Sequence, residues 1–432
     1  IKRFQKFHSS KKFIMNRVTE TLGDLYGMHW PYKQHKTSRD QRLLPYHEEL
    51  KKVGACFGQS GEYERPMWYA LDGAKAEYEY SFNYQNWYPS VKHECKNTIE
   101  NVGLFELSPF SKYEIKGEKA YEELQRLCTA NIKNEIGKCT YTHMLNEGAG
   151  IETDLTVVCL EKNYFRIISS AAVRTHDKAH ILRHLSKDIE FKDITDDLIC
   201  LGIFGPKSRE LLSKITNENL SNENFKFGTA KYIKIGSLNI WAQRLSYVGE
   251  LGYELYISNK NAKEIYDLIV ETGKSFNLTH CGAHTMDTMR MESGFLHWAH
   301  DVSPEENQYQ AGLNFAISYK KPFDFIGKQK LLEIKNQKID RRFVMLTLKD
   351  STPGKPLLLH EEPIYLDDKI IGKTTSGNYS FNYNKNLSFG YINSELTNEQ
   401  LIDKNLFIEI EKIKYKAQLL LKPLKQGNFK KI

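Results

Sequence analysis

Three short stretches of the chain set ionisable side chains beside glycines. The first, Tyr141–Ser170, reads YTHMLNEGAGIETDLTVVCLEKNYFRIISS and centres on Asp154. Gly148-Ala149-Gly150 turn the chain just before this acid, and the β-prone run Leu155-Thr156-Val157-Val158 follows it. A carboxylate at the mouth of a strand can be held rigidly and partly desolvated, which suits a general base or a partner for a developing cation. An acid so placed can equally do no more than cap the turn. The second stretch, SYVGELGYELYI at Ser246–Ile257, has Gly249 and Gly252 between Tyr247 and Glu254. Folded back through its glycines, it would set a phenol beside a carboxylate, a pairing that suits the donor-rich edge of a pterin, purine or guanidine-like ring. A plain glycine hairpin with surface acids is the alternative. The third, GAHTMDTMRMESG at Gly282–Gly294, brings Asp287, Arg290 and Glu292 within one or two helical turns. Ordinary i,i+3 pairing of Asp287 with Arg290 accounts for that stretch without a ligand.

Other chemistries are absent from the sequence. It has no G-x-G-x-x-G, P-loop, H-E-x-x-H, G-x-S-x-G or Cys/His zinc spacing. His93 with Glu94, and His297 with His300, are too few convergent ligands for a metal, so none is expected. The seven cysteines contain no C-x-x-C and are widely spaced, which suits reduced thiols filling a core. That points to the cytoplasm, with the mitochondrial matrix as the alternative. The net charge of +7 is dispersed and comes with no nucleic-acid motif, so no nucleic-acid partner is expected. No apolar run approaches the roughly 18 residues of a membrane span. The basic, acid-free segment Ile1–Val18 has some features of a transit peptide but reads as a basic surface segment. The chain opens on Ile1, which suggests a portion of something longer.

The elements that must position these side chains are α+β in pattern. The 432 residues suffice for two or three domains. Helices are expected over Gly117–Ala130, Lys207–Ile215 and Asn261–Thr272, the last with an Asn261/Glu264 capping box and Gly273 as its stop. Hairpins are expected at Leu155–Leu160/Tyr164–Ile168 and Lys231–Ile235/Asn239–Leu245. Arg17–Glu49 reads as short helices and loops, and Gly54–Tyr69 as an aromatic-rich loop docked on a domain face. Phe325–Gln337 is a helical link. Beyond it, Phe343–Leu348, Pro363–Leu366, Ile370–Thr375, Leu387–Ile392, Leu406–Glu411 and Ala417–Leu421 alternate with turns, as in a small closed barrel or sandwich.

Taken in order, NVGLFELSPFSKYEIKG, GAGIETDLTVV, SYVGELGYELYI, TMDTMRMESG, DFIGKQKLL and GKTTSGNYSFNYNKNLSFGYI resemble the folate-binding aminomethyltransferase fold of the glycine-cleavage T-protein. The resemblance runs from about Trp87 to Leu421. Upstream, LYGMHWPY and RLLPYHEELKKVGACFGQSGEYERPMWY resemble the segment that follows the flavin domain in dimethylglycine and sarcosine dehydrogenases. The form M-D-T-M-R-M-E is also closer to that branch than the A-R-D-T-L-R-L-E of T-proteins.

The resemblance implies three regions: a docking segment (1–86), a folate-binding domain (87–325) and a C-terminal β-barrel (326–432). It implies tetrahydrofolate as cofactor, a small-molecule one-carbon donor, and FAD only on a separate or missing domain or subunit. The implied reaction is one-carbon transfer giving 5,10-methylenetetrahydrofolate in an oxidative demethylation. A stand-alone aminomethyltransferase or demethylase, or a non-catalytic folate-binding module, is the alternative. Residue by residue, Asp154 matches the catalytic or positioning acid, Tyr247 and Glu254 the pair that hold the pterin, Thr156 a pocket-lining residue, and Phe110 an apolar residue against the ring. Three positions depart from the pattern: Ser170 stands for an asparagine, Met286 for the arginine of A-R-D, and His284 for an arginine common in the dehydrogenase branch.

Overall fold

The computed structural model describes residues 10–61, 63–427 and 429–431. The first nine residues of the basic N-terminal run fall outside them.

Two sheets carry the central part of the chain. One has the strand order Cys139–Leu145, Ile151–Glu161, Tyr164–Ser169, Ser111–Lys116, Glu190–Asp193, antiparallel throughout. The other has the order Ala230–Ile235, Leu238–Gln243, Gly252–Ser258, Leu198–Phe204, Val102–Glu106, Leu278–Cys281, with only its last pair parallel. The sequence dictates their exposure. Val102–Glu106 is buried throughout, as a strand covered on both faces must be. Ile151–Glu161 begins in strict alternation. Ile151, Thr153, Leu155 and Val157 point into the core, while Glu152, Asp154 and Thr156 take the other face and keep some exposure. Beneath the first sheet Leu155 and Val157 pack with Leu124 and Leu127 of the helix Ala120–Leu127.

The C-terminal strands close a six-stranded barrel in the order Arg341–Leu348, Lys385–Asn393, Lys369–Ser380, Pro363–Leu366, Leu406–Ile410, Ile413–Leu420. Of the two architectures that short alternating strands allow, it is therefore the barrel. Val344, Leu346, Ile364, Ile408 and Leu419 fill it.

Two local expectations are corrected. Gly54–Tyr69 is a β-hairpin, Ala55–Ser60 with Tyr63–Tyr69, and not a loop. Trp68 and Tyr69 are buried by the pairing, and the glycines and Pro66 disguise the alternation. The helix near Asn261 runs Ala262–Gly273, but the Asn261 side chain makes no capping bond and Gly273 does not stop it. The chain continues into a 3-10 turn, and Asn277 takes the left-handed conformation. Gly273 serves close packing instead, since a Cβ there would meet Leu278 at 2.5 Å.

The helix Ala283–Glu292 joins the sheets to the barrel. Arg290 makes the expected bond to Asp287, Nε to Oδ1 at 2.8 Å, but it also pairs with buried Asp301 and donates to Ser376 Oγ of the barrel at 2.9 Å. Asp301 in turn accepts from Thr375 and Ser376, each at 2.7 Å. Glu292 accepts from Ser380 at 2.7 Å and Asn382 at 2.8 Å. The third stretch is thus a structural joint.

Candidate active site

Asp154 does not cap its turn. Asn146 does that: its Oδ1 accepts from Gly150 N at 2.9 Å, and its backbone N–H and C=O close the turn to Gly150 and Ala149. Gly150 is required because a Cβ would lie 2.1 Å from the Pro304 carbonyl. The strand has already begun at Ile151, so Asp154 is an inside member of it, opposite His143, with Thr156 opposite Tyr141. Residues paired across antiparallel strands share a face, so all four side chains stand on one surface.

Three of them are wired together. The Tyr141 hydroxyl donates to Asp154 Oδ2 at 3.2 Å, and His143 Nε2 lies 3.2 Å from the same hydroxyl. Gln308 Nε2 lies 2.8 Å from His143 Nδ1 and donates also to Thr129 Oγ1 at 3.0 Å. With an amide N–H at Nδ1, the ring accepts there, carries its proton on Nε2 and donates it to the phenol oxygen. The chain of donors therefore runs Gln308, His143, Tyr141, Asp154 and ends on a carboxylate. Burial keeps the imidazole neutral, its pKa pushed down to about 3. Burial also lifts Asp154 to about 6, against the opposing pull of the Tyr141 bond.

Glu254 lies on the strand Gly252–Ser258 of the second sheet, and Tyr247 on the loop that leads into it. The charge of Asp154 acts on both Tyr141 and Tyr247, which puts the three within electrostatic reach of one another. Tyr247 and Glu254 do not pair directly. The Tyr247 hydroxyl is given to the Leu296 carbonyl at 2.9 Å and its ring lies parallel to Phe295, while Glu254 Oε2 accepts from Tyr256 at 2.8 Å. Gly249 makes the intervening loop possible, with φ +72 and a Cβ position 2.1 Å from Ser293 Oγ. Burial raises Glu254 to about 7, and no cation offsets it. Opposite Glu254 in register is Gln243, fully buried with both amide atoms unpartnered. Phe110, Tyr247, Ile168 and Cys139 pack, half-buried, on the same apolar cluster. Two acids with raised pKa values, an orphaned amide and a flat apolar flank suit a planar ring whose edge offers N–H donors.

The three departures have separate fates. Ser170 follows the strand Tyr164–Ser169, and its carbonyl accepts from Ser111 at 3.1 Å. His284 is not a cationic contact. It stacks on Trp87 at 4.0 Å, meets Tyr78 Oη through Nε2 at 2.8 Å, and is held neutral by burial, its pKa pushed down to about 4. Tyr32 packs edge-on against both rings, so this histidine fastens the N-terminal segment. Met286 is buried, with its sulfur 3.6 Å from Arg65 Nη2.

Sequence reading missed Tyr141, His143, Gln243, Gln308 and Arg65. Tyr141 and His143 were open to view as a period-two pair on the strand before the turn. Nothing local announces Gln308 or Arg65.

Residues 46–321 match the family described as the GCVT N-terminal domain, and 341–425 match the glycine cleavage T-protein C-terminal barrel domain. The chain belongs to this aminomethyltransferase family. Residues 1–43 match the FAD dependent oxidoreductase central domain, which sets it beside the family's flavin-linked members. It is 38% identical to 4-methylaminobutanoate oxidase (formaldehyde-forming) of Paenarthrobacter nicotinovorans, over 88% of this chain and 46% of that protein. It is 34% identical to human mitochondrial dimethylglycine dehydrogenase, over 89% of this chain and 44% of that one. An aminomethyltransferase of Alkaliphilus metalliredigens is 31% identical over 79% of this chain and 90% of its own length. The chain thus spans a little under half the length of its dehydrogenase and oxidase relatives. The crystal structure of the glycine cleavage aminomethyltransferase T from Bartonella henselae superposes with a TM-score of 0.75 at 21% identity, covering 89% of this chain and 98% of that one. Among the described residues no helix is long and apolar enough to cross a membrane.

Proposed function

We propose that this chain carries out tetrahydrofolate-dependent one-carbon transfer, forming 5,10-methylenetetrahydrofolate as the folate half of a dimethylglycine- or sarcosine-type oxidative demethylation. The regions 1–86, 87–325 and 326–432 would then be the docking segment, the folate domain and the barrel. The observation that carries the reading is the polarised relay ending on Asp154, a carboxylate whose pKa burial raises to about 6, together with a second raised acid, Glu254.

Tetrahydrofolate, when bound, supplies a nucleophilic amine. Asp154 takes up the proton that such an amine sheds as it bonds to carbon, and its charge steadies the cationic one-carbon species beforehand. Tyr141 keeps the carboxylate oriented. Glu254, with Gln243 behind it, receives the N–H edge of the ring, and Phe110 and Thr156 line its flank. Holding the one-carbon unit and its acceptor at one site would supply proximity and limit escape.

The one-carbon unit would come from a flavin-binding portion or partner acting on an N-methyl amino acid. The helix Lys11–Asp24 supports this. It buries none of its residues and exposes Met15, Val18 and Leu22 at helical spacing, within the stretch matching the FAD-dependent oxidoreductase family.

The test is Asp154→Asn, assayed for methylenetetrahydrofolate from tetrahydrofolate and formaldehyde. Turnover is expected to fall on the order of a hundred- to ten-thousandfold with tetrahydrofolate affinity largely kept. Unchanged turnover would remove Asp154 from the reaction, and absence of tetrahydrofolate binding by the unaltered chain would remove the folate reading.

A further inference from the structure

The N-terminal hairpin holds a cation that has no ion-pair partner among the described residues. Arg65, on the strand Tyr63–Tyr69, has its Nε buried and unpartnered, and its recorded hydrogen bond is from Nη2 to the Met286 thioether at 3.6 Å. A sulfur is a weak acceptor for a guanidinium. Among the described residues no carboxylate lies within ion-pair reach of it. Other arginines of the fold are served differently. Arg39 has Glu64, Arg166 has Glu114, Arg174 has Asp193, and Arg290 has Asp287 and Asp301.

The acids whose charge reaches Arg65 are Glu106 and Asp287, and both are committed elsewhere. Glu106 accepts from the Tyr46 hydroxyl and from Ser108 N at 2.7 Å. Asp287 accepts from Arg290 and, at 3.1 Å, from Asn378. Met286, which Arg65 meets, belongs to the apolar cluster on which Tyr247 and Phe110 pack, and Tyr247 also acts electrostatically on Arg65. A guanidinium partly withdrawn from water, with its Nε buried and no counter-ion, is expected where a ligand supplies the charge.

We propose that Arg65 is the anion-binding residue of the candidate site and receives a ligand carboxylate. The inference rests on the folate reading. Under that reading the carboxylate comes either from the glutamate tail of tetrahydrofolate or from the amino acid that donates the one-carbon unit. Arg65 and Met286 occupy adjoining space, so a cation introduced at position 286 can serve the same spot.

The experiment is calorimetric titration of the full chain, of Arg65→Met, and of the exchange Arg65→Met with Met286→Arg. The probes are tetrahydrofolate, 6-methyltetrahydropterin (the ring without a carboxylate) and sarcosine. Arg65→Met is expected to weaken one carboxylate ligand on the order of ten- to a hundredfold while leaving 6-methyltetrahydropterin unchanged, and the exchange is expected to restore part of the loss. A loss with tetrahydrofolate assigns the tail; a loss with sarcosine assigns the donor. Thermal stability of Arg65→Met should be equal to or above that of the parent, because a buried Nε without a partner is removed.

Three outcomes overturn the assignment: parental affinity of Arg65→Met for both carboxylates, an equal loss with 6-methyltetrahydropterin, or no carboxylate binding by the parent. If the parent binds neither pterin, the folate reading fails, and the sarcosine titration still decides the role of Arg65.

Discussion

At the scale of single residues, the chemistry hangs on how far Asp154 is moved from its ordinary pKa and by what. Burial raises it and the Tyr141 hydroxyl lowers it, leaving a value of about 6. If Asp154 acts as a base, the rate of the transfer step rises with pH through that value and levels off above it. In Tyr141→Phe the opposing hydrogen bond is gone, so the acid limb of the pH–rate profile should move to higher pH. A limb that stays in place would show that the hydroxyl does not touch the reacting carboxylate. The acid and its glycine turn were legible in the sequence because type, spacing and turn chemistry are local. The relay behind it was only half legible. Tyr141 and His143 lie on the neighbouring strand at a readable period, whereas Gln308 reaches Nδ1 from more than a hundred residues away. The expected Tyr247–Glu254 pairing failed for a related reason. Spacing across a glycine loop says that two groups can meet, not that a third acceptor, the Leu296 carbonyl, takes the phenol first.

At the scale of elements, one buried acid sets the hairpin against the helix that follows the second sheet. Glu94, on the helix Tyr88–Glu100, accepts from Tyr69 N at 2.9 Å with one oxygen, and from Gly282 N at 2.8 Å and the Thr285 hydroxyl with the other. In sequence it sits next to His93 and suggested only a weak metal pair. Its three donors come from two segments that the sequence does not juxtapose. Glu94→Ala leaves two backbone N–H groups and a hydroxyl buried without acceptors, at about 1–3 kcal/mol each. A loss of at least about 3 kcal/mol in denaturant unfolding is expected. A loss under 1 kcal/mol would mean that water or a neighbouring carbonyl takes over. Strands and barrel were easier to read than this hairpin, because alternation and turn residues announce them. The glycines and proline of Ala55–Ser60 and Tyr63–Tyr69 blur that period, and only pairing with each other makes them strands.

For the whole molecule, the question is why a candidate site built on two sheets has a barrel attached at all. Arg290 and Asp301 give a physical answer. Asp301 is fixed by Arg290, by the barrel hydroxyls of Thr375 and Ser376, and by the His297 N–H at 2.9 Å. The segment between Arg290 and Asp301 is therefore tied at both ends, and it includes Leu296, the residue that holds the Tyr247 hydroxyl. The barrel thus helps to fix the acceptor that holds the Tyr247 hydroxyl. Arg290→Met should cost about 3–5 kcal/mol, because Asp301 is left as a buried charge without its cation. It should also weaken tetrahydrofolate binding, although Arg290 is not proposed to touch the ligand. A barrel that is only a neighbour predicts the first loss without the second. Measuring both on the same preparation, at a temperature where Arg290→Met remains folded by near-ultraviolet circular dichroism, separates the two. Parental tetrahydrofolate affinity in a folded but destabilised Arg290→Met protein would show that the Leu296 acceptor stands on the sheets alone.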